Sequence, residues 1–225
     1  MTPRPQQNHR FATRAIHVGQ EPDSATGATV PPVHLTSTYT QQSPGKHKGY
    51  EYSRSGNPTR SNLEKALASL EGGAACACFA SGSAGTAALL ATLSPGDKVV
   101  AYGDVYGGTY RWLRGVCERC GVVPVFTDDV SPSAFAELVD EKTKLVWLES
   151  PTNPMLRCLD IAAIAKIAHD AGAKLAVDNT FATPVLQLPI ALGADYVVHS
   201  TTKYIGGHSD VIGGAVIVQD EALSE

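Results

Sequence analysis

No run of Lys or Arg occurs anywhere in the 225 residues, and the formal net charge is -4. Such a chain presents no electrostatic footprint to nucleic acid or to an anionic membrane surface, so neither is an expected partner. No apolar stretch reaches the length that spans a bilayer, and "MTPRPQQNHRFATRAIHVGQ" lacks the apolar core of a secretory signal. The five cysteines are an odd number and cannot all pair within one chain, while 43% hydrophobic residues suffice for a substantial core without covalent staples. A soluble, cytoplasmic protein is the expectation. Also missing are internal repeats, low-complexity segments and interdomain linkers. After "FAS" no G-x-G-x-x-G or G-x-x-x-x-G-K-[ST] pattern follows, so neither a dinucleotide nor a nucleoside triphosphate is favoured. Cys117-x-x-Cys120 has no second CxxC to complete a zinc site, even beside His199 and His208. On an expected helix the two cysteines read as packing residues, and no metal is expected.

What is present is an alternation. Residues 1–49 are irregular, interrupted by Pro3, Pro5, Pro22, Pro31, Pro32 and Pro44, and read as an arm rather than a domain. "PTRSNLEKALASLEGG" reads as a helix with Leu63, Leu67 and Leu70 on one face and Gly72 as its stop. From there short apolar runs alternate with helical stretches: "ACACFAS" leads to "AGTAALLATL", "KVVAY" to "YRWLRGVCERC", "VVPVF" to "SAFAELVD", "KLVWLES" to "DIAAIAKIAHDAG" and "KLAVD" to a short segment near Leu186, and "DYVVHS" precedes "GGAVIV". The strands lack polar alternation, as expected when helices cover both faces of a sheet, and the crossovers are helix-sized. The expected fold class is α/β, a doubly wound, mainly parallel sheet over residues 50–225.

In such sheets ligands bind outside the carboxyl ends of the strands. The residues there are Ser81 to Ser83, Asp104 to Tyr106, Glu149 to Asn153, Asp178 to Thr180, and Ser200 to Lys203. Each has an ordinary reading as a turn, a cap or a solvated side chain. Together they supply other chemistry. Gly82 lets backbone approach a phosphate at the start of a helix. Asp178, directly after "KLAV", suits a protonated heterocyclic nitrogen. Tyr106 offers a stacking ring. A lysine placed as Lys203 is, in a partly desolvated pocket, an amine nucleophile suited to a Schiff base with a carbonyl cofactor. These are the parts of a pyridoxal phosphate site.

"YSRSGNPTR", "YGGTYR", "ESPTNP", "VDNTFATP" and "HSTTKYIGGHSD", in this order, resemble the Cys/Met metabolism family of pyridoxal-phosphate enzymes. The resemblance runs from about Thr13 to the end and implies a fold type I large domain carrying pyridoxal 5'-phosphate. It implies Lys203 as the lysine that bonds the cofactor aldehyde, Asp178 at the pyridinium nitrogen and Tyr106 stacked on the ring. Gly82, Ser83, Ser200 and Thr202 then form the phosphate cradle, Thr180 joins the cofactor-binding set, and Asn153 lies near the phenolic oxygen and the substrate carboxylate. Ser83 stands where the family most often has methionine. Tyr52 and Arg54 match residues that reach a neighbouring subunit's cofactor phosphate, so a homodimer or homotetramer with shared sites is implied, with the arm contacting the neighbour. Family members continue into a smaller C-terminal substrate domain, which is expected to be absent from this chain. The implied activity is trans-sulfuration: γ-replacement or γ-elimination on an O-acylhomoserine or cystathionine, with Lys203 as proton shuttle and Tyr106 assisting leaving-group expulsion. The alternatives are O-acetylhomoserine sulfhydrylase, cystathionine β-lyase or methionine γ-lyase, the last disfavoured by Gly108, or a non-catalytic cofactor-binding fragment.

Overall fold

Each of the seven apolar runs forms a strand in the computed structural model, which describes residues 9–223. They are β1 (Ala75–Phe79), β2 (Lys98–Tyr102), β3 (Val123–Thr127), β4 (Thr143–Glu149), β5 (Lys174–Asp178), β6 (Tyr196–His199) and β7 (Gly214–Val218). One sheet holds all seven in the order β1-β7-β6-β5-β4-β2-β3. Only β7 runs against its neighbours; the other paired strands are parallel. The order reverses between β2 and β4, where the chain leaves one half of the sheet for the other, and such switch points open a crevice at the carboxyl ends.

The absence of polar alternation has its expected cause. Val99, Ala101, Trp147, Ala176 and Val198 pack on one face with Leu89, Leu90, Leu113 and Cys117. The alternate residues Val100, Val146, Leu148, Leu175 and Val177 are equally buried. α6 (Ile161–Asp170) contacts β4 and β5 and buries Ile161, Ile164, Ala165 and Ala168. Its N-cap is Asp160, whose side chain accepts the Ala163 N–H at 3.0 Å.

α3 (Gly82–Leu90) starts two residues before the apolar stretch that announced it. Ser81 explains the difference: its backbone is extended and its Oγ accepts the Ala84 N–H at 3.1 Å, so it caps the helix and makes Gly82 the first helical residue. The stretch after β2 is less regular than expected, with α4 (Gly107–Arg111) widening into a π-helical turn over Trp112–Cys117. Cys117 is buried and Cys120 exposed. α5 (Pro132–Leu138) precedes β4, and the short α7 (Thr183–Leu186) follows β5.

The chain divides after Leu70 into two compact units. The first contains α1 (Phe11–His17), within the stretch read as irregular, and nearly all of α2 (Pro58–Glu71). Asn57 Oδ1 accepts the Thr59 N–H at 2.9 Å to open α2, and Gly72 at φ +77 closes it. Leu67 is buried, but Leu63, expected on the same stripe, is 45% exposed because the described residues leave the start of the helix uncovered.

Candidate active site

A cavity of about 340 Å³ opens at the carboxyl ends of the strands, built wholly within the unit that begins at Glu71. Gly82, Ser83, Tyr106, Asn153, Asp178, Thr180, Ser200, Thr202 and Lys203 all line it. These come from five connections of the sheet. Tyr52 and Arg54 belong to the preceding unit, where both are exposed; Arg54 Nη2 donates to the Tyr52 hydroxyl at 3.1 Å and its guanidinium lies 4.9 Å from the ring centroid.

One wall is an anion cradle made by close approach. Gly82 and Ser83 open α3, where backbone N–H groups have no acceptor within the helix and favour negative charge. A Cβ at Gly82 would stand 2.8 Å from Ser200 Cβ, so only glycine lets the helix start and the loop after β6 come this near. Gly214 fits as tightly, its ideal Cβ falling 2.1 Å from the Ser81 carbonyl. Ser200 is fixed through its N–H, which donates to Thr180 Oγ1 at 2.9 Å. The Thr202 hydroxyl bridges both backbone groups of Gly213, donating to the carbonyl at 3.2 Å and accepting the N–H at 3.1 Å.

Opposite lie two carboxyl groups in register, Glu149 at the end of β4 and Asp178 at the end of β5. Burial pushes the Asp178 carboxyl up, opposed by its bonds from Thr180, whose N–H donates to Oδ1 at 3.0 Å, and by the nearby His199. Burial first, and the Asp178 charge second, push Glu149 up to about 8. Thr86, Thr109, Phe181 and Ile212 complete the lining.

Lys203 departs from expectation. It lines the cavity but is exposed, because it sits in the turn that follows β6 rather than against the strand, and the described residues do not desolvate it. Its N–H donates to the Ser200 carbonyl at 3.1 Å, and its carbonyl accepts the Gly207 N–H at 2.8 Å, which fixes the turn.

Two residues the sequence reading left without a role brace this site from behind. His199 and Glu71 are both 1% exposed at the side chain, and His199 Nε2 donates to Glu71 Oε1. The same oxygen accepts from Asn179 Nδ2 at 2.9 Å, while Gln187 Nε2 reaches Asn179 Oδ1 at 2.8 Å and the Ser150 carbonyl at 2.7 Å. One network therefore ties the connections after β4, β5 and β6. A second brace joins the Thr152 hydroxyl to Asp104 Oδ2 at 2.7 Å and Arg157 Nη1 to the Tyr102 hydroxyl at 2.8 Å. Among the described residues no group of three or more His, Cys, Asp or Glu is arranged to hold a metal ion.

An anion cradle, an exposed aromatic ring, a desolvated carboxyl braced by N–H donors and a primary amine around one cavity form a donor set that fits pyridoxal phosphate. The family model for the "Cys/Met metabolism PLP-dependent enzyme" matches residues 12–225. A probable cystathionine gamma-synthase of Herpetosiphon aurantiacus is 50% identical over 218 residues, 97% of this chain and 68% of that protein. The cystathionine beta-lyase of Coxiella burnetii is 49% identical over 98% of this chain and 57% of its own length. The crystal structure of cystathionine gamma-lyase from Lactobacillus plantarum, complexed with L-serine, superposes with a TM-score of 0.93 at 44% identity, covering 96% of this chain and 56% of that one. The chain thus spans little more than half the length of most of the proteins it matches, and those proteins divide among synthase, β-lyase and γ-lyase.

Proposed function

The chain belongs to the Cys/Met metabolism PLP-dependent enzyme family, and from that premise we propose that it carries the cofactor-binding part of a trans-sulfuration enzyme acting on cystathionine or an O-acylhomoserine. The observation that carries this reading is that every expected site residue except Tyr52 and Arg54 lines one cavity.

The residue assignments are those the family resemblance implies for the positions lining this cavity. The N–H groups of Gly82 and Ser83 would hold the phosphate together with the Ser200 hydroxyl and the Thr202 hydroxyl, whose proton would turn to it from the Gly213 carbonyl. Asp178 holds a proton at the ring nitrogen, and Thr180 orients Asp178 through its N–H. Tyr106 would cover the ring, and Asn153 would serve the phenolic oxygen and the substrate carboxylate. Bound here, pyridoxal phosphate supplies an electron sink for the charge left when a substrate α-proton departs. Lys203 is the amine that holds the aldehyde carbon. The Lys203 amine, placed at the reacting centre, would also move protons at the substrate's α and β carbons. Tyr106 assists departure of the γ substituent.

Residues 1–49 are proposed as an arm that contacts a neighbouring subunit, with 50–225 the large domain. Tyr52 and Arg54 then complete the partner's phosphate site in a homodimer or homotetramer. Their exposure, and their pairing with each other rather than with a buried group, support this. A cytoplasmic location is proposed on the odd number of cysteines, five, in a chain whose core needs no covalent staples; no helix of the described residues is long and apolar enough to cross a membrane.

Incubating the protein, loaded with cofactor, with O-succinylhomoserine or O-acetylhomoserine tests the reading. With cysteine present the expected product is cystathionine, and without it a 2-oxo acid and ammonia. Amino transfer to 2-oxoglutarate in place of both would contradict it.

A further inference from the structure

Glu149 is the buried carboxyl of the cavity, which the sequence reading placed at a strand end but gave no role. It is 5% exposed, it ends β4, and its register partner on β5 is Asp178. Residues paired across adjacent strands project on the same face, so the two carboxyl groups stand side by side in the cavity wall. Two like charges at that spacing, both taken from water, oppose each other's ionisation.

The same side chain holds two site residues. Glu149 Oε2 accepts the Tyr106 N–H at 2.7 Å, and the Asn153 N–H also bonds its carboxyl. Tyr106 needs such an anchor. Its ring is 45% exposed and rests against Gly108, where an ideal Cβ would fall 2.2 Å from Tyr106 Cε1, so few side-chain contacts fix its direction.

We propose that Glu149 is a positioning residue that fixes Tyr106 and Asn153 at the cavity wall and, paired in register with Asp178, shares a single negative charge with it. This rests on the cofactor reading above. The groups facing Glu149 are Asp178 from β5, Asp104 from the connection after β2 and Lys203 across the cavity. Asp104 is itself bonded by Thr152, and both acids raise Glu149. Burial and the neighbouring acids push Glu149 up to about 8, and burial pushes Asp178 up as well.

The test uses Glu149→Gln, which keeps a carbonyl acceptor for the Tyr106 N–H without a charge, and Glu149→Leu, which keeps no acceptor. In cofactor-free protein, carboxyl ¹³C NMR is expected to show Glu149 titrating above pH 7, and at least one pH unit lower in Asp178→Asn. In cofactor titrations Glu149→Gln is expected to bind pyridoxal phosphate within threefold of the parent and Glu149→Leu at least tenfold more weakly. Glu149 titrating with the ordinary carboxylates, or Leu binding as tightly as Gln, overturns the proposal. If Glu149→Leu does not fold, the NMR titration and the Gln variant still decide. A parent protein that binds no cofactor would sink the cofactor reading, while the titration of Glu149 would still be read.

Discussion

Replacing Gly82 with alanine adds one methyl group, and the structure says what it strikes. The new Cβ would lie 2.8 Å from Ser200 Cβ and 2.9 Å from Ser200 Cα. Carbon atoms rest at about 3.5–4.0 Å, so roughly 0.7–1.2 Å of separation must be found. The helix start cannot retreat easily, because Ser81 caps it and the backbone of Gly214 presses on the Ser81 carbonyl. Ser200 therefore moves, and its N–H bond to Thr180 is strained. Overpacking of this kind costs about 1–3 kcal/mol. A protein of this size loses about 2–4 °C in melting temperature per kcal/mol. If the Ser200 hydroxyl is a phosphate ligand, losing its charge-assisted hydrogen bond costs about a further 1.5–3 kcal/mol in affinity, or roughly ten- to a hundredfold. The assay is a thermal melt with a pyridoxal phosphate titration, run beside Gly115→Ala, whose ideal Cβ meets nothing within 4 Å and which should behave as the parent does. A folded Gly82→Ala that binds the cofactor within threefold of the parent would refute the cradle.

Glu71→Leu removes the acceptor shared by His199 and Asn179 inside the core, and two buried donors left without partners at about 1–3 kcal/mol each predict a loss of about 2–6 kcal/mol in urea unfolding. A loss under 1 kcal/mol would show that the network carries no strength. Stability of the cofactor-free protein should fall as pH rises from about 4.5 towards 8, because folded Glu149 keeps a proton that the unfolded chain releases in that window. At about 1.4 kcal/mol per pH unit the Glu149 part of the effect is at most about 5 kcal/mol, and Glu149→Gln should shrink the difference between melts at pH 5 and pH 8 to what buried Asp178 contributes. A parent and variant with the same pH dependence would show that Glu149 ionises as an ordinary carboxyl. Asp178→Asn relieves a desolvated carboxyl, so a melting temperature at or above the parent's should accompany a loss of turnover of at least a hundredfold; lost stability with retained turnover would reverse the assignment.

Strands buried on both faces need continuous apolar residues, and that pattern survives in a single sequence, so all seven runs were legible. The direction of β7 was not, since "GAVIV" has the same composition in either sense and only its pairing with β1 and β6 reverses it. The site was legible at strand ends: "KLAVD" marked Asp178 because a charge closes an apolar run. "KLVWLE" carries the same signal at Glu149, which was placed at its strand end but given no role because its partners, Tyr106 and Asp178, lie far off in sequence. The brace behind the site had no local signal. Glu71 and His199 are 128 positions apart, and nothing in either neighbourhood announces the other. Lys203 was placed correctly along the chain but not in depth, because burial of the strand before it says little about a turn held by its own backbone bonds.

The central claim is that Lys203 bonds the aldehyde of pyridoxal phosphate within this cavity. Borohydride reduction of the protein incubated with the cofactor, followed by peptide mass mapping, tests it directly. The account predicts a visible absorption band that reduction abolishes and a pyridoxyl phosphate label on the peptide containing Lys203, with both lost in Lys203→Ala. A folded preparation that gives no such band, or a label that persists in Lys203→Ala, would contradict it.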